Sequence, residues 1–499
     1  MATTKISLYQ VKHIRSCEQS ATTDLGLSED ELMARAGSSA FSALARLYPD
    51  IRNIAVFCGS GNNAGDGYIL ARLAHEQGYS VVIHQYKTIE DLPPAARHAA
   101  LTAIAAGVPC QSLEDVIDSE VELIVDALLG IGVQGHVKDP LVAAITQIND
   151  SGLPVLAIDI PSGLDADTGA VLGTCVRATA TITFIARKLG LFTLDGPDYC
   201  GKIICDSLGL DRLLSTIQSA VHVLDESLRN ALLAPRLKNS HKGHYGHVLI
   251  IGGGQGMPGS VFLTASAALR VGAGVVTIAT RPEHAGHVLP GLPEAMIYGI
   301  EEANELTSLI SRATICVIGP GLGEDEWAHV LFTKALTSQL PMVIDASALR
   351  ILASNHQHDD NWVLTPHPGE ASSLLNCSTA EIQKNRLEAV NEIQRQYGGN
   401  VILKGVGTLI ATDESETYLC AAGNPGMASA GMGDALNGLI AGLFAQGLSL
   451  TEAAKLGVWL HATAADAATL AKGERGLLAS DLMPYIRQQV NVVSTSVNG

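Results

Sequence analysis

Short apolar runs, several of them ending in glycine, with helical segments between them, constrain this chain more than any other feature. In the first half the runs are NIAVFCG (53–59), SVVIHQY (80–86), ELIVDA (122–127), PVLAIDI (154–160) and TITFIA (181–186), and segments 67–78, 94–107 and 141–151 carry helical patterns. Strand alternating with helix predicts βαβ units and a mostly parallel sheet, and glycine at a strand end predicts a loop that approaches a ligand closely. The second half restarts with HVLIIGGG (247–254), VVTIAT (275–280), TICVIGPG (314–321), PMVIDA (341–346), NWVLTP (361–366) and NVILKG (400–405), and closes with helical patterns over 434–447 and 451–471. Residues 211–238 between the halves hold no glycine and no strong strand, and the basic stretch RLKNSHKGH begins near their end. The glycine motifs of the two halves do not repeat in register. The expectation is therefore two different α/β domains, 1–218 and 224–499.

Composition removes several classes. At ~100–200 residues per domain, 499 residues suit two to four domains. A net charge of −18 disfavours general binding to nucleic acid or to anionic membranes. The most apolar late stretch, Ala435 to Leu448, is broken by Asn437, Gly438, Gly442, Gln446 and Gly447, and is shorter than the ~20 apolar residues of a spanning helix. The first twenty residues contain no apolar run of the secretory kind. Nine cysteines without a CxxC motif read as reduced thiols, so a cytoplasmic protein is expected. With 47% hydrophobic and only 16% charged residues, the polar surface is sparse, which points to a homo-oligomer.

The run Gly59-Ser60-Gly61-Asn62-Asn63-Ala64-Gly65-Asp66-Gly67 follows the first strand and opens a helix, where backbone N–H groups favour an anionic ligand. Such a turn also arises for steric reasons alone. It departs from the dinucleotide fingerprint GxGxxG, and strand two ends in Gln85-Tyr86 without the expected acid, which disfavours ordinary hydride transfer. Asp126 in IVDALLG and Asp159 in LAIDIPSG stand at two further strand ends, with Ser162 just beyond. Asn62, Asp126 and Ser162 would converge as hard oxygen donors, suited to an alkali or alkaline-earth ion rather than zinc. Asp159 is left as an acid/base candidate, against the plainer reading of each acid as a loop cap. Lys188, in IARKLG, is a candidate second acid/base group or else a solvated loop lysine.

In the second half, Asn424-Pro425-Gly426-Met427-Ala428-Ser429-Ala430-Gly431-Met432-Gly433-Asp434 runs into a helix. Small residues there free backbone N–H groups to cradle a phosphate, and Asp434 could take a proton from a hydroxyl that attacks it; the plainer reading is a helix cap. Lys404-Gly405-Val406-Gly407-Thr408 forms a turn able to hold an adenosine phosphate, and no segment matches the GxxxxGK[ST] loop. Prolines flank His367 in TPHPGE and restrict its backbone, which suits a residue shown to substrate. His241, His244 and His247 make no metal set, because Gly243 and Gly246 interrupt any helix and no cysteine or carboxylate completes it; Lys242 and Gly243 are the better working part of that loop. Trp327, Trp362 and Trp459 read as packing.

Taken in order, SHKGHYGHVLIIGGG, IGPGLG, TPHPGE, LKGVGT and NPGMASAGMGD resemble the ADP-dependent NAD(P)H-hydrate dehydratases, whose fold is ribokinase-like. GSGNNAGDG, VDALLGIG and DIPSGLDADTG resemble the NAD(P)H-hydrate epimerases, whose fold is Rossmann-like. The order epimerase then dehydratase resembles the bifunctional NAD(P)H-hydrate repair enzymes, over nearly the whole chain. The resemblance implies that the first domain interconverts the R and S epimers of the hydrates NADHX and NADPHX. Asn62, Asp126 and Ser162 match potassium ligands; Asn62, Asn63, Ala64, Gly65 and Asp66, then Gly130, Ile131, Gly132, Val133, Gln134, Gly135 and His136, and Asp159, match hydrate-binding positions. It implies that the second domain dehydrates the S epimer while ADP becomes AMP and phosphate, with room for magnesium. Ser260, Gly321, His367 and Asp434 then fall at hydrate-contacting positions, and Lys404, Gly405, Val406, Gly407, Thr408 and Gly433 at nucleotide-contacting ones; Asp434 and Asp159 are the catalytic pair.

The chain departs from the family's usual wording in two places. Ala64 stands where the loop usually has glycine, which matters if that position needs φ > 0, and GDALNG replaces GDVLSG. Two rival readings remain at this level. The GxGD helix start alone fits a small-molecule kinase of the ribokinase type equally well, and the first domain could be a binding module that keeps its fold without activity.

Overall fold

The computed structural model describes residues 6–133 and 135–491. It divides into two compact units, one of Ser7–Val221 and the other of the described residues from His222 onward together with Ile6.

The first unit is built on a seven-stranded, all-parallel sheet. Its spatial order is Cys110–Ser112, Ser80–Gln85, Asn53–Cys58, Leu123–Ala127, Val155–Ile158, Ala180–Phe184 and Lys202–Asp206. Side chains alternate across it, and both faces are apolar because helices cover both. Ile54, Val56, Leu123, Val125, Leu156 and Ile158 join one core with Tyr68 and Leu70 of helix Asn62–Glu76. Ala55, Phe57 and Ile124 face a second core with Ile145 and Ile148 of helix Leu141–Asp150. Helices Val11–Leu25 and Glu29–Leu47 precede the first sheet strand. The second starts at a reciprocal cap, in which Ser28 Oγ accepts from Glu31 N (3.2 Å) and Glu31 accepts from Ser28 N (2.8 Å).

The chain moves outward from Asn53–Cys58 to one edge and then returns to its other side at Leu123–Ala127. Such a reversal leaves a crevice at the carboxyl ends of the two strands. The GSGNN turn and Asp126 both lie there.

The second unit repeats this logic on a larger sheet. Met296–Gly299, Val275–Thr280, His247–Ile251, Ile315–Ile318, Met342–Ile344, Trp362–Leu364 and Asn400–Leu403 are parallel neighbours in that order. Thr408–Ala411 and Thr417–Cys420 then extend the sheet antiparallel. The reversal falls between His247–Ile251 and Ile315–Ile318, and there the glycine loops bond to each other, Gly253 N to Pro320 O (2.9 Å) and Gly254 N to Gly321 O (2.6 Å). Helix Met432–Ala445 lies against helix Pro258–Val271 at very close range. A Cβ on Gly438 would come within 2.1 Å of Thr264 O, and one on Gly442 within 2.4 Å of Val271 Cγ1.

Residues 211–238 do contain ordered elements, the strand Val221–Val223 and the helix Glu226–Leu232 capped by Asp225. His222 and Val223 pair in parallel with Tyr418 and Leu419. Three residues are too short to show a period, so the partner strand decides this one. The three tryptophans are buried as expected, and His247 is held between Thr277 (2.7 Å) and Arg312 O (3.0 Å) as a structural group.

Candidate active sites

In the first unit the crevice opens into a cavity of about 870 Å³, lined by Asn62, Asn63, Asp66, Gly130 to Val133, Asp159 and Lys188 among others. Asp159 directly follows strand Val155–Ile158 in a left-handed backbone conformation (φ 66°), a strained state that side chains adopt only where the surroundings impose it. Its carboxylate accepts from Phe184 N (3.2 Å) and Thr183 Oγ1 (3.3 Å) and is ion-paired with Lys188. The Lys188 side chain is fully buried, and Nζ also donates to Thr183 Oγ1 and Phe184 O, both at 2.8 Å. It is no solvated loop lysine. Burial, then the neighbouring Asp159 and Glu18, push Asp66 well above the usual carboxylate range.

Beside this cavity Asp126 and Ser162 form a sealed pair. Asp126 accepts from Ser162 Oγ (2.6 Å), Ser162 N (2.8 Å) and Leu128 N (3.2 Å), and burial outweighs these bonds to push it up to about 6. Asn62, expected as the third oxygen donor, is instead exposed at the helix start. Its neighbour Asn63 turns inward. Its Nδ2 donates to Leu129 O (3.1 Å), the same carbonyl that Ser162 Oγ approaches at 3.3 Å, and its buried Oδ1 has no hydrogen-bond partner. On a helix start adjacent residues point about 100° apart, so spacing alone could not choose between the two asparagines.

Ala64 is buried inside helix Asn62–Glu76 with an ordinary helical backbone, so the departure from glycine there is tolerated. Gly130, Ile131, Gly132 and Val133 line this cavity and a smaller one of about 550 Å³ beside it; Gly135 and His136 line neither, and Gln134 lies outside the described residues.

The second unit assembles a charged network at its strand ends. Asp345, directly after Met342–Ile344, receives Lys404 Nζ on Oδ1 (2.8 Å) and Asn437 Nδ2 on Oδ2 (2.6 Å). Burial opposes its charge, but Lys404 and Asn437 hold Asp345 below the usual carboxylate range. Burial likewise opposes the charge on Lys404, yet Asp345 and Glu370, the latter 3.7 Å away, raise it above the ordinary lysine value. Asn437 in turn accepts from Thr365 Oγ1 (3.1 Å), which gives a structural use to the departure from serine in GDALNG.

Gly431, at φ 88°, caps the following helix, so Asp434 lies in its first turn and is not the cap. Burial, followed by the charge of Asp345, pushes Asp434 up to about 6, and the Ser260 hydroxyl lowers it only in part. A Cβ on Gly433 would stand 3.3 Å from both Lys404 Nζ and Asp345 Oδ2. Gly321 is left-handed (φ 57°) beside Met257 and Ser260. His367 caps helix Pro368–Leu375, and its Nδ1 accepts from Gly369 N (2.9 Å) and Glu370 N (3.3 Å). Its Nε2 faces Glu370 at 3.3 Å on a half-exposed side chain. Val406 is exposed and Thr408 Oγ1 donates to Gly405 O (2.9 Å), which closes the KGVGT turn.

Sequence reasoning missed Asp345, Glu370 and Asn437 as parts of this site, and missed the neutral His461, which burial lowers to about 4. Asp345 stands at the end of a strand in VIDAS, the same placement that marked Asp126 and Asp159, and that signal was available.

Fold and sites define a class: an α/β enzyme of two units, the first Rossmann-like with a buried lysine–aspartate pair, the second with an acid at a glycine-rich helix start. The family model described as YjeF-related protein N-terminus matches residues 29–190, and the NAD(P)H-hydrate dehydratase model matches residues 248–488. The bifunctional NAD(P)H-hydrate repair enzyme Nnr of Coxiella burnetii is 48% identical over 97% of this chain and 99% of its own. The enzyme of the same name from Escherichia coli is 41% identical over 99% of this chain and 95% of its own. A solved ribokinase-like superfamily protein of Enterococcus faecalis matches with a TM-score of 0.51 and 28% identity, over 55% of this chain and 96% of that one. The chain belongs to the family of bifunctional NAD(P)H-hydrate repair enzymes.

Proposed function

We propose that the two activities of this bifunctional repair enzyme divide between the sites as follows. The first unit epimerises the R and S forms of NADHX and NADPHX in the cavity around Asp159 and Lys188. The second dehydrates the S form to NADH or NADPH while ADP becomes AMP and phosphate. The observation that carries the second assignment is Asp434, which stands in the first turn of a glycine-rich helix with its proton affinity raised to about 6.

Hydroxide is a poor leaving group, and the site converts it to a better one. Asp434 takes the proton of the ring hydroxyl as its oxygen bonds to the β-phosphorus of ADP, and the bond to AMP breaks. Phosphate then departs with the carbon–oxygen bond, driven by the ring nitrogen lone pair, and loss of the adjacent ring proton restores the dihydronicotinamide. Backbone N–H groups of 431–433 and the Lys404 ammonium neutralise the phosphate charge, and Asp345 with Glu370 keeps that ammonium in place. Ser260, Gly321 and His367 border the hydrate, and Lys404 to Thr408 with Gly433 border the nucleotide.

A potassium ion fits the first unit, with Asn63 taking the place expected of Asn62. The unpartnered Asn63 Oδ1, the Asp126 carboxylate and the Ser162 hydroxyl are hard donors of the kind alkali ions take. Such an ion supplies positive charge beside a buried carboxylate and ties the GSGNN turn to the two following strand ends. Magnesium enters this reading only with the nucleotide phosphates, as it usually does. The nine cysteines, none in a disulfide, favour a reducing cytoplasmic setting. A homo-oligomer remains the reading of the apolar composition.

A single assay tests the division. Racemic NADHX with ADP and the full chain regenerates NADH, followed by near-ultraviolet absorbance against a no-enzyme control. Rapid, near-complete conversion supports both sites; conversion that stalls near half removes the epimerase, and phosphorylated product from ATP without NADH returns the second unit to a kinase.

A further inference from the structure

Helix Val11–Leu25 precedes the segment matched by the first family model, and none of the expected site residues comes from it. Yet Ile14, Arg15, Glu18, Gln19, Thr22 and Thr23 of this helix line the cavity that holds Asp159 and Lys188. Glu18 is the acid among them and is half-buried. Burial, then the charge of Asp159, raises it above the ordinary glutamate value, while Lys188 and Arg15 pull it back and Glu29 adds a smaller push. Asp66 lies in the same cavity and responds to both Asp159 and Glu18. Glu18, Asp66 and Asp159 thus line one cavity with the buried Lys188, and Asp159 is the one ion-paired with it. Asp159 is engaged by Lys188, and Glu18 stands outside that ion pair as a group able to carry a proton.

The hydrate bears its hydroxyl on the carbon beside the ring nitrogen. Epimerisation there breaks a carbon–oxygen bond on one face of the ring and makes one on the other. A two-sided exchange of this kind needs an acid for the departing oxygen and a base for the arriving one. We propose that Glu18 is the second acid/base group of the epimerase, working opposite Asp159. Glu18 gives its proton to the hydroxyl, which leaves as water while the nitrogen lone pair forms a carbon–nitrogen double bond. A water then bonds to the same carbon from the other face, its proton passes to Asp159, and the double-bond electrons return to nitrogen. The proton moves back from Asp159 to Glu18 through cavity water, so the cycle is neutral overall, and its reverse converts the other epimer.

The inference rests on epimerisation taking place in the Lys188 cavity, and the test separates the two. Purified R-NADHX is incubated without ADP with the full chain and with its Glu18→Gln, Glu18→Asp and Asp159→Asn variants. The epimers are then separated by chromatography over time and corrected for the no-enzyme rate. Conversion of S-NADHX with ADP serves as the folding control, because Glu18 takes no part in the dehydratase.

Glu18→Gln is expected to lower kcat for epimerisation by about 100-fold or more with little change in KM, since a positioned acid is worth at least that much. Wild-type kcat falls as pH rises through the Glu18 titration, and Glu18→Gln loses that limb; Glu18→Asp recovers part of the rate. A Glu18→Gln rate within about threefold of wild type, or a loss confined to KM, overturns the role of Glu18. If Asp159→Asn also keeps the wild-type rate, the placement of the reaction in this cavity fails as well.

Discussion

On the proposed mechanism, the ionisation of Asp434 decides whether the dehydratase has a base. Its raised value of about 6 means that it is protonated in mild acid and free to accept a proton above that. Dehydration of S-NADHX is therefore expected to rise with pH through about 6 and level off, which a kcat–pH profile checks. Asp434→Asn should lower kcat by about 100-fold or more while ADP still binds. Asn63 makes the corresponding prediction in the first unit. Potassium chloride, compared with an equal concentration of a bulky organic cation salt, should raise the melting temperature of the wild-type chain through binding to the folded state. Asn63→Ala should abolish that rise and Asn62→Ala should leave it. The reverse pattern would return the ligand to Asn62, and a rise kept in both variants would remove the ion from this site.

At the scale of elements, the second site depends on two helices that approach at glycine. Helix Met432–Ala445 carries Asp434 and helix Pro258–Val271 carries Ser260, and glycines at 438 and 442 let the two helices approach closely. Gly438→Ala would push a methyl group onto Thr264 O, which is backbone and cannot swing aside. A destabilisation of about 1–3 kcal/mol is expected, read as a lower denaturation midpoint, with S-hydrate turnover falling alongside it. At this scale the sequence was legible wherever an element is long or strongly patterned. The runs 53–59, 80–86 and 247–254 and the late helices appear as strands and helices within a few residues. Val221–Val223 was not legible, because its extended form comes from pairing with Thr417–Cys420 across nearly two hundred residues of chain.

For the whole molecule, the two activities should come apart by mutation. Asp159→Asn, given racemic NADHX and ADP, should convert the S half quickly and then slow to the no-enzyme rate of epimerisation. Asp434→Asn should regenerate NADH about 100-fold or more slowly from either epimer, yet still bring the two epimers to equilibrium. Absorbance and epimer chromatography on the same samples separate these outcomes. A chain in which either variant lost both activities would not divide its chemistry as assigned.

The sequence by itself determined the parallel α/β character of both units, the glycine turns at their strand ends and the family. These follow from short-range causes: apolar periodicity, β-branching, and glycine where backbone must meet backbone or ligand. Only the tertiary structure decided which side chains meet. Lys188 looked as suited to solvent as to chemistry until the fold buried it against Asp159, 29 positions away, and Asp345, legible at a strand end, had no visible partner until Lys404, 59 positions on, reached it. Tertiary placement likewise turned Asn63 inward while Asn62 stays exposed, and brought Glu18 to the cavity from a helix without a motif. Burial and pairing set the surroundings of these groups, and both depend on which distant strand ends the sheet brings together.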